Sequence, residues 1–89
     1  MKHIICSIYD SATEAYMRPF TAQTEGQAVR MFEDEVLREG SEIGMHPQDY
    51  ALFKIGKFDD HNAIIESDVV CLRRAHEVRT NITNIKEAN

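Results

Sequence analysis

The order of apolar and polar residues divides this chain into strands and helices. From Lys2 to Asp10, Ile4, Cys6 and Ile8 share one face of a strand, and His3, Ile5, Ser7 and Tyr9 share the other. Both faces are largely apolar, which predicts an interior strand covered at least partly on both sides. Ser11-Ala12-Thr13-Glu14 reads as a turn, and Ala15 to Thr21 as a second strand, antiparallel to the first because the link is short. Pro19 cannot donate to a ladder, so this strand is an edge or ends near Pro19. Thr24-Glu25-Gly26-Gln27 fits a capping box, with Thr24 as N-cap and Gln27 reaching back. The helix it starts runs from Glu25 to about Glu39, with Gly40 just past its end. Ala28, Val29, Phe32, Val36 and Leu37 form its apolar stripe, and Glu33, Asp34, Glu35 and Arg38 face water.

After a loop over residues 41–49, Pro47 gives the next element a hard start, because it disfavours helix at His46. Tyr50 to Phe58 alternates as a strand. Tyr50, Leu52, Lys54, Gly56 and Phe58 fall on one face, and Ala51, Phe53, Ile55 and Lys57 on the other. Asp59-Asp60-His61-Asn62 is a turn cluster that returns the chain into a fourth strand, Ala63 to Glu66. Asp68 to about His76 reads as a short helix with Val69, Leu72 and Ala75 inward, although the run Val69-Val70-Cys71-Leu72 suits a strand equally. Residues 80–89 are polar apart from Ile82 and Ile85, and read as a tail outside a single domain spanning residues 1–79. The element order β-β-α-β-β-α predicts a small α+β domain, with a mostly antiparallel four-stranded sheet and helices packed on one face.

Composition adds few constraints. The 89 residues suffice for one domain that buries a modest core, so burial against a second copy would help. The N-terminal apolar run is too short and mixed for a signal peptide or a membrane span, which leads us to expect a protein of the cytoplasm with no membrane partner. Cys6 and Cys71 lie far apart on apolar segments and read as reduced, buried thiols. The net charge of −5 argues against a protein wrapped in nucleic acid. Yet residues 25–49, with seven carboxylates and two arginines, carry all of that charge. The remaining eight acids and eight bases balance, so a positive face is compatible with the acidic total.

Catalytic chemistry finds no foothold. His3, His46, His61 and His76 show no ligand spacing with each other or with the cysteines. No serine sits in a glycine elbow, no phosphate-binding loop is present, and the adjacent Asp59 and Asp60 belong to a turn. We therefore expect no enzyme, no metal and no cofactor. One constellation is more suggestive. In the phases drawn above, Tyr50, Lys54 and Phe58 share a face of the central strand, and Tyr16, Arg18 and Phe20 share a face of the second. Aromatic rings interleaved with cations on an open sheet face can bind single-stranded nucleic acid, with bases on rings and phosphates on cations. Aromatics on strands are also ordinary core or dimer contacts.

Several stretches together carry a family resemblance. Ser7-Ile8-Tyr9-Asp10-Ser11, Arg18-Pro19-Phe20, Ala28-Val29-Arg30-Met31-Phe32 and the run from His46-Pro47 through Asp49-Tyr50, Leu52-Phe53, Ile55-Gly56 and Phe58-Asp59-Asp60 follow in order. They resemble the small nonstructural protein of gokushovirus-type microviruses, which are single-stranded DNA phages of bacteria. The resemblance covers residues 4–60. Beyond it, family members often have a longer polar hairpin with a glycine, where this chain has His61-Asn62-Ala63.

The resemblance implies a non-enzymatic phage accessory protein in the host cytoplasm that binds single-stranded DNA during genome replication or packaging. The residues expected to meet phosphates are Arg18, Lys54, Lys57, Arg73 and Arg74. Those expected to stack on bases are Tyr16, Tyr50 and Phe58. A homodimer or higher homo-oligomer is expected. The alternative is a protein–protein module that binds no DNA and engages the phage replication protein, the capsid or a host factor through the acidic face of the first helix.

Overall fold

A computed structural model of the chain describes residues 1–78. Its strands are β1 (Lys2–Asp10), β2 (Ala15–Tyr16), β3 (Phe20–Ala22), β4 (Tyr50–Asp59) and β5 (Ile64–Arg74). Its helices are α1 (Glu25–Leu37), the short α2 (Glu42–Met45) and a helical stretch, α3, at residues 75–78, the last described ones. All strand pairings are antiparallel. The sheet runs β2-β1-β4-β5, and β3 pairs β1 along the same edge as β2. The α+β class and the overall order of elements agree with the sequence reading.

The departures have local causes. The expected second strand is broken in two around Met17-Arg18-Pro19, because Pro19 has no N–H for the ladder. The edge stays tied across the break. The Met17 N–H donates to the Ile8 carbonyl at 2.7 Å, and the Ser7 hydroxyl donates to the Met17 carbonyl at 2.6 Å. The Thr24 side chain caps α1 by accepting from the Gln27 N–H, while the Gln27 side chain accepts from the N–H of Gln23, one residue before the cap. The helix ends at Leu37, before the expected Glu39, and Gly40 takes a left-handed φ of +82°. Residues 41–49 are not all loop. Ser41 caps α2 by accepting from the Gly44 N–H.

The fourth strand is much longer than Ala63–Glu66. It takes the strand alternative for Val69–Leu72, so of the expected helix over residues 68–76 only residues 75 and 76 are helical, at the start of α3. Pairing with β4 along the whole hairpin decides the ambiguity in favour of the ladder. Cys71 consequently lies exposed on an edge strand and not in the core, while Cys6 is buried and both thiols are free. The expected polar tail at residues 80–89 lies outside the described residues.

α1 lays Ala28, Phe32 and Val36 on Ile4 and Cys6 of β1 and Leu52 of β4, and Ala22, Ile43, Ala75 and Val78 close the rim of this core. The opposite sheet face carries no described helix. One irregularity sets which side chains face which way. Along β1, Ile5 pairs with Gly56 and the next residue, Cys6, pairs with Lys54, so Ile55 is an extra residue in β4. Such a bulge reverses the alternation of its strand. Before it, Tyr50, Leu52 and Lys54 lie on the helix side. After it, Phe58 lies on the opposite face, opposite His3 of β1 and Ile65 of β5.

Two backbone positions test this architecture. A Cβ on Gly56 would stand 2.4 Å from the Glu66 carbonyl, so any side chain there pushes β5 away. Gly56→Ala should cost about 2–3 kcal/mol, as overpacking against backbone does. Ala63, in the β4–β5 turn, holds a left-handed φ of +62° while its N–H donates to the Asp59 carbonyl. That conformation costs a non-glycine residue about 1–2 kcal/mol. Ala63→Gly should therefore raise stability by roughly 0.5–1 kcal/mol after the added flexibility of the unfolded chain is offset. Urea unfolding of the two variants beside the parent checks both signs.

Candidate nucleic-acid interface

The sheet face away from α1 carries a cluster of rings that alternation along the strands brings together. Tyr9 of β1 pairs with Tyr16 of β2, and their ring centroids lie 4.8 Å apart. Phe53 of β4 meets Tyr16 edge-on at 5.6 Å and Tyr9 at 6.3 Å. Offset and edge-on contacts of this kind fix ring orientation without hiding the outer ring surface. Tyr16 remains 48% exposed. Arg74 pairs in register with Ala51 on the same face, and with Tyr9, Phe53 and His76 it lines an open groove of about 380 Å³. Arg18 is exposed in the connector that follows Tyr16. At the other end of this face Phe58 joins Ile5, Pro19, Phe20 and Ile65 around a smaller apolar depression of about 260 Å³.

The other expected contacts lie elsewhere. Lys54 does not lie between Tyr50 and Phe58 on an open face. It points toward α1, is 8% exposed, and its ammonium sits 3.6 Å from both the Glu25 and the Asp68 carboxylates. Arg73 also turns to the helix side, where it meets Glu33 at 3.3 Å and Glu77 at 3.6 Å. Its Nε is buried without a hydrogen-bond partner. Lys57 is exposed but pairs in register with Ile4 and Glu66, on the helix side of the sheet. Tyr50 packs against the core rim. Burial pushes its phenol pKa up, and the carboxylates of Asp10, Glu42 and Asp49 add to the shift. Tyr50 also lines the groove of Arg74, Tyr9 and Phe53, and so does Asp49, which puts a carboxylate in the groove beside its arginine. Of the eight expected residues, Tyr16 and Arg74 lie toward one end of the uncovered face, where Tyr50 also lines the groove; Phe58 lies at its other end, and Arg18 is exposed in the edge connector.

The expected water side of α1 holds for Asp34 and Arg38, which are exposed, and for Glu35, which takes a two-pronged hydrogen bond from Arg38; Glu25 and Glu33 instead are partners of Lys54 and Arg73. Among the described residues, no carboxylate lies within ion-pair distance of Arg18, Arg30, Lys57 or Arg74. Tyr9 and Phe53 were not expected at the site, although both occur in the stretches that carry the family resemblance. Asking which face of each strand the α1 stripe covers would have exposed them. Among the described residues no group of three or more metal-ligating side chains occurs, and no helix is long and apolar enough to cross a membrane.

The family profile described as Phage ORF5 protein matches residues 3–78, nearly the whole described chain. This chain belongs to that phage protein family. The match takes in β1 with Tyr9, the β2–β3 edge, β4 with its bulge, and β5 as far as Arg74. It thus extends past the hairpin at which the earlier resemblance stopped. No curated protein and no solved structure matches the chain significantly.

Lys54 offers a direct check on the electrostatics. Its side chain is only 10% exposed, and taking a charge out of water is costly, whereas ion pairs to exposed carboxylates return about 1 kcal/mol or less each. Its partner carboxylates are more than half exposed and can rehydrate if the cation is removed. Lys54→Met, which keeps the stem, should therefore change stability by no more than about 1 kcal/mol, and toward stabilisation. Lys54→Glu places a third carboxylate between two and should cost about 3 kcal/mol or more. The midpoints of urea unfolding measure both.

Proposed function

We propose that this phage protein is a non-enzymatic accessory factor that binds single-stranded DNA on the uncovered sheet face. The observation that carries the reading is the Tyr9–Tyr16–Phe53 cluster beside Arg74. Ring faces on a sheet accept any base by stacking, worth roughly 1–3 kcal/mol per base, and need no sequence readout. Arg18 and Arg74 supply the cations; neither is within ion-pair distance of a described carboxylate, and Asp49 shares the groove with Arg74. Two arginines are a small complement beside a net charge of −5, so binding is weak and stacking provides most of it.

Binding of this kind suits transient coating of a genome strand in the host cytoplasm, not its tight packaging. The protein–protein alternative through the acidic face of α1 loses support, because Glu25 and Glu33 are engaged by Lys54 and Arg73 of the same chain.

Titration of a fluorescent oligothymidine across salt concentrations tests the proposal. We expect micromolar affinity and a log–log salt slope of about −1 to −2, since each neutralised phosphate of a single strand contributes about 0.7. Tyr16→Ala should weaken binding about tenfold. Arg74→Ala should lower the slope by about 0.7. Lys54→Met should leave binding unchanged. Absence of binding at low salt, or loss of binding on Lys54→Met with Tyr16→Ala silent, would refute the proposal.

A further inference from the structure

The ring cluster occupies one end of the uncovered face. At the other end Ile5, Pro19, Phe20, Thr21, Phe58 and Ile65 line the open depression of about 260 Å³. Among the described residues no charged side chain lines it, and the Thr21 hydroxyl is the one polar side-chain group in its wall. The depression crosses the sheet from the β3 edge to β5. Ile5 pairs with Thr21 on one side and with Gly56 on the other, and Phe58 pairs with Ile65.

Two features tie the depression to the ring cluster. Phe58 follows Phe53 by five positions, one of them the bulge residue Ile55, so the two positions stand about 13 Å apart along β4 at ~3.3 Å per residue. Gly56 lies between them and raises no side chain that would separate the two ends. The second feature is the sheet edge. Tyr16 belongs to the ring cluster and Pro19 to the depression, so Met17 and Arg18 connect one to the other. Arg18 is exposed, and no carboxylate of the described residues lies within ion-pair distance of it.

A nucleotide consists of a flat, uncharged base and a charged backbone, and the two parts ask for different surroundings. Bases are held between aromatic and apolar side chains, and phosphates by cations. The depression offers a ring, Phe58, among aliphatic groups and no charge, so it suits a base and not a phosphate. Arg18 stands in the connector between the two ends, where the backbone joining one base to the next would pass. The separation of Phe53 from Phe58 is too wide for a single base and within reach of neighbouring nucleotides on one extended strand.

We propose that this depression is a second base subsite for the same single strand. It rests on the reading of the ring cluster as a DNA site and lengthens that site. The strand lies over Tyr9, Tyr16 and Phe53 beside Arg74, passes Arg18, and sets a further base against Phe58. The wall holds little that distinguishes one base from another, so the subsite adds affinity and length and not sequence readout.

Titrations of the full chain with a thymidine dinucleotide, too short to span both ends, and with a hexanucleotide test this. The gain in affinity from the short to the long probe should shrink about tenfold in Phe58→Leu, which keeps an apolar side chain and removes the ring. Arg18→Ala should lower the salt slope of the hexanucleotide by about 0.7. In a ¹⁵N-labelled sample, the hexanucleotide should shift the amides of Ile5, Phe58 and Ile65 as well as those of the ring cluster. The subsite is overturned if folded Phe58→Leu keeps the parent's gain, or if Ile5, Phe58 and Ile65 stay unmoved while the ring cluster shifts. In both cases the ring cluster still stands as a DNA site if Tyr16→Ala weakens the dinucleotide. Binding of neither probe at low salt overturns the subsite and the ring-cluster reading together.

Discussion

The extra residue at Ile55 governs what this protein presents to its surroundings. β4 is the strand that every layer of the domain meets: it pairs with β1 and β5 and lies under α1. Upstream of the bulge its alternation sends Leu52 and Lys54 toward the helix and Phe53 away from it. Downstream, the phase is reversed and Phe58 joins the uncovered face. Without the bulge, Phe58 would be driven under the helix and Lys57 outward onto the ring-bearing face, because a one-residue slip exchanges the two faces of a strand. Gly56, the next residue, lets the Glu66 carbonyl approach where a side chain would block it. A local irregularity and a small residue beside it thus divide the sheet into a packed side and an available side.

Charge is distributed by the same division. Glu25 in the first turn of α1 and Glu33 in its second half are the counterparts of basic residues that the strands aim inward, namely Lys54 from β4 and Arg73 from β5. These cations are paired with carboxylates of the same chain, so they contribute little to the field seen by a ligand. Cys6 lies in the same neighbourhood. Burial raises its thiol pKa, the carboxylate of Glu25 adds to the rise, and Lys54 opposes it. A thiol in that setting is a core residue, not a nucleophile. The inward cations Lys54 and Arg73 are therefore matched, and the ring-bearing face, with Arg74 beside it, keeps chemistry that the fold does not use.

Much of the frame was legible in the sequence because local rules set it. The capping box at Thr24, the break at Pro19, the turn after Asp59 and the interior character of β1 each rest on one residue type in one conformation. What was not legible depends on tertiary context. Strict alternation placed Tyr50, Lys54 and Phe58 together, and nothing in the chemistry of Ile55 announces a bulge. Val69-Val70-Cys71-Leu72 is short and apolar enough for either a helix or a strand, and only the ladder with β4 resolves it. Inward lysine and arginine were misread as surface cations because their acidic partners lie about 30–40 residues away in sequence, or on the other side of a bulge. The consequence for the site was specific: the aromatic character of the surface was anticipated, but two of its three clustered rings, Tyr9 and Phe53, were not, and three of the five expected cations, Lys54, Lys57 and Arg73, lie on the helix side.

The central claim is that the working surface is the sheet face opposite α1. The most direct measurement is the pattern of backbone amide shifts in a ¹⁵N-labelled protein as a short oligothymidine is added. The account expects shifts concentrated at Tyr9, Tyr16, Phe53 and Arg74, with α1 and the surroundings of Lys54 little changed. Shifts centred on α1, Lys54 and Arg73, with the aromatic cluster silent, would contradict it.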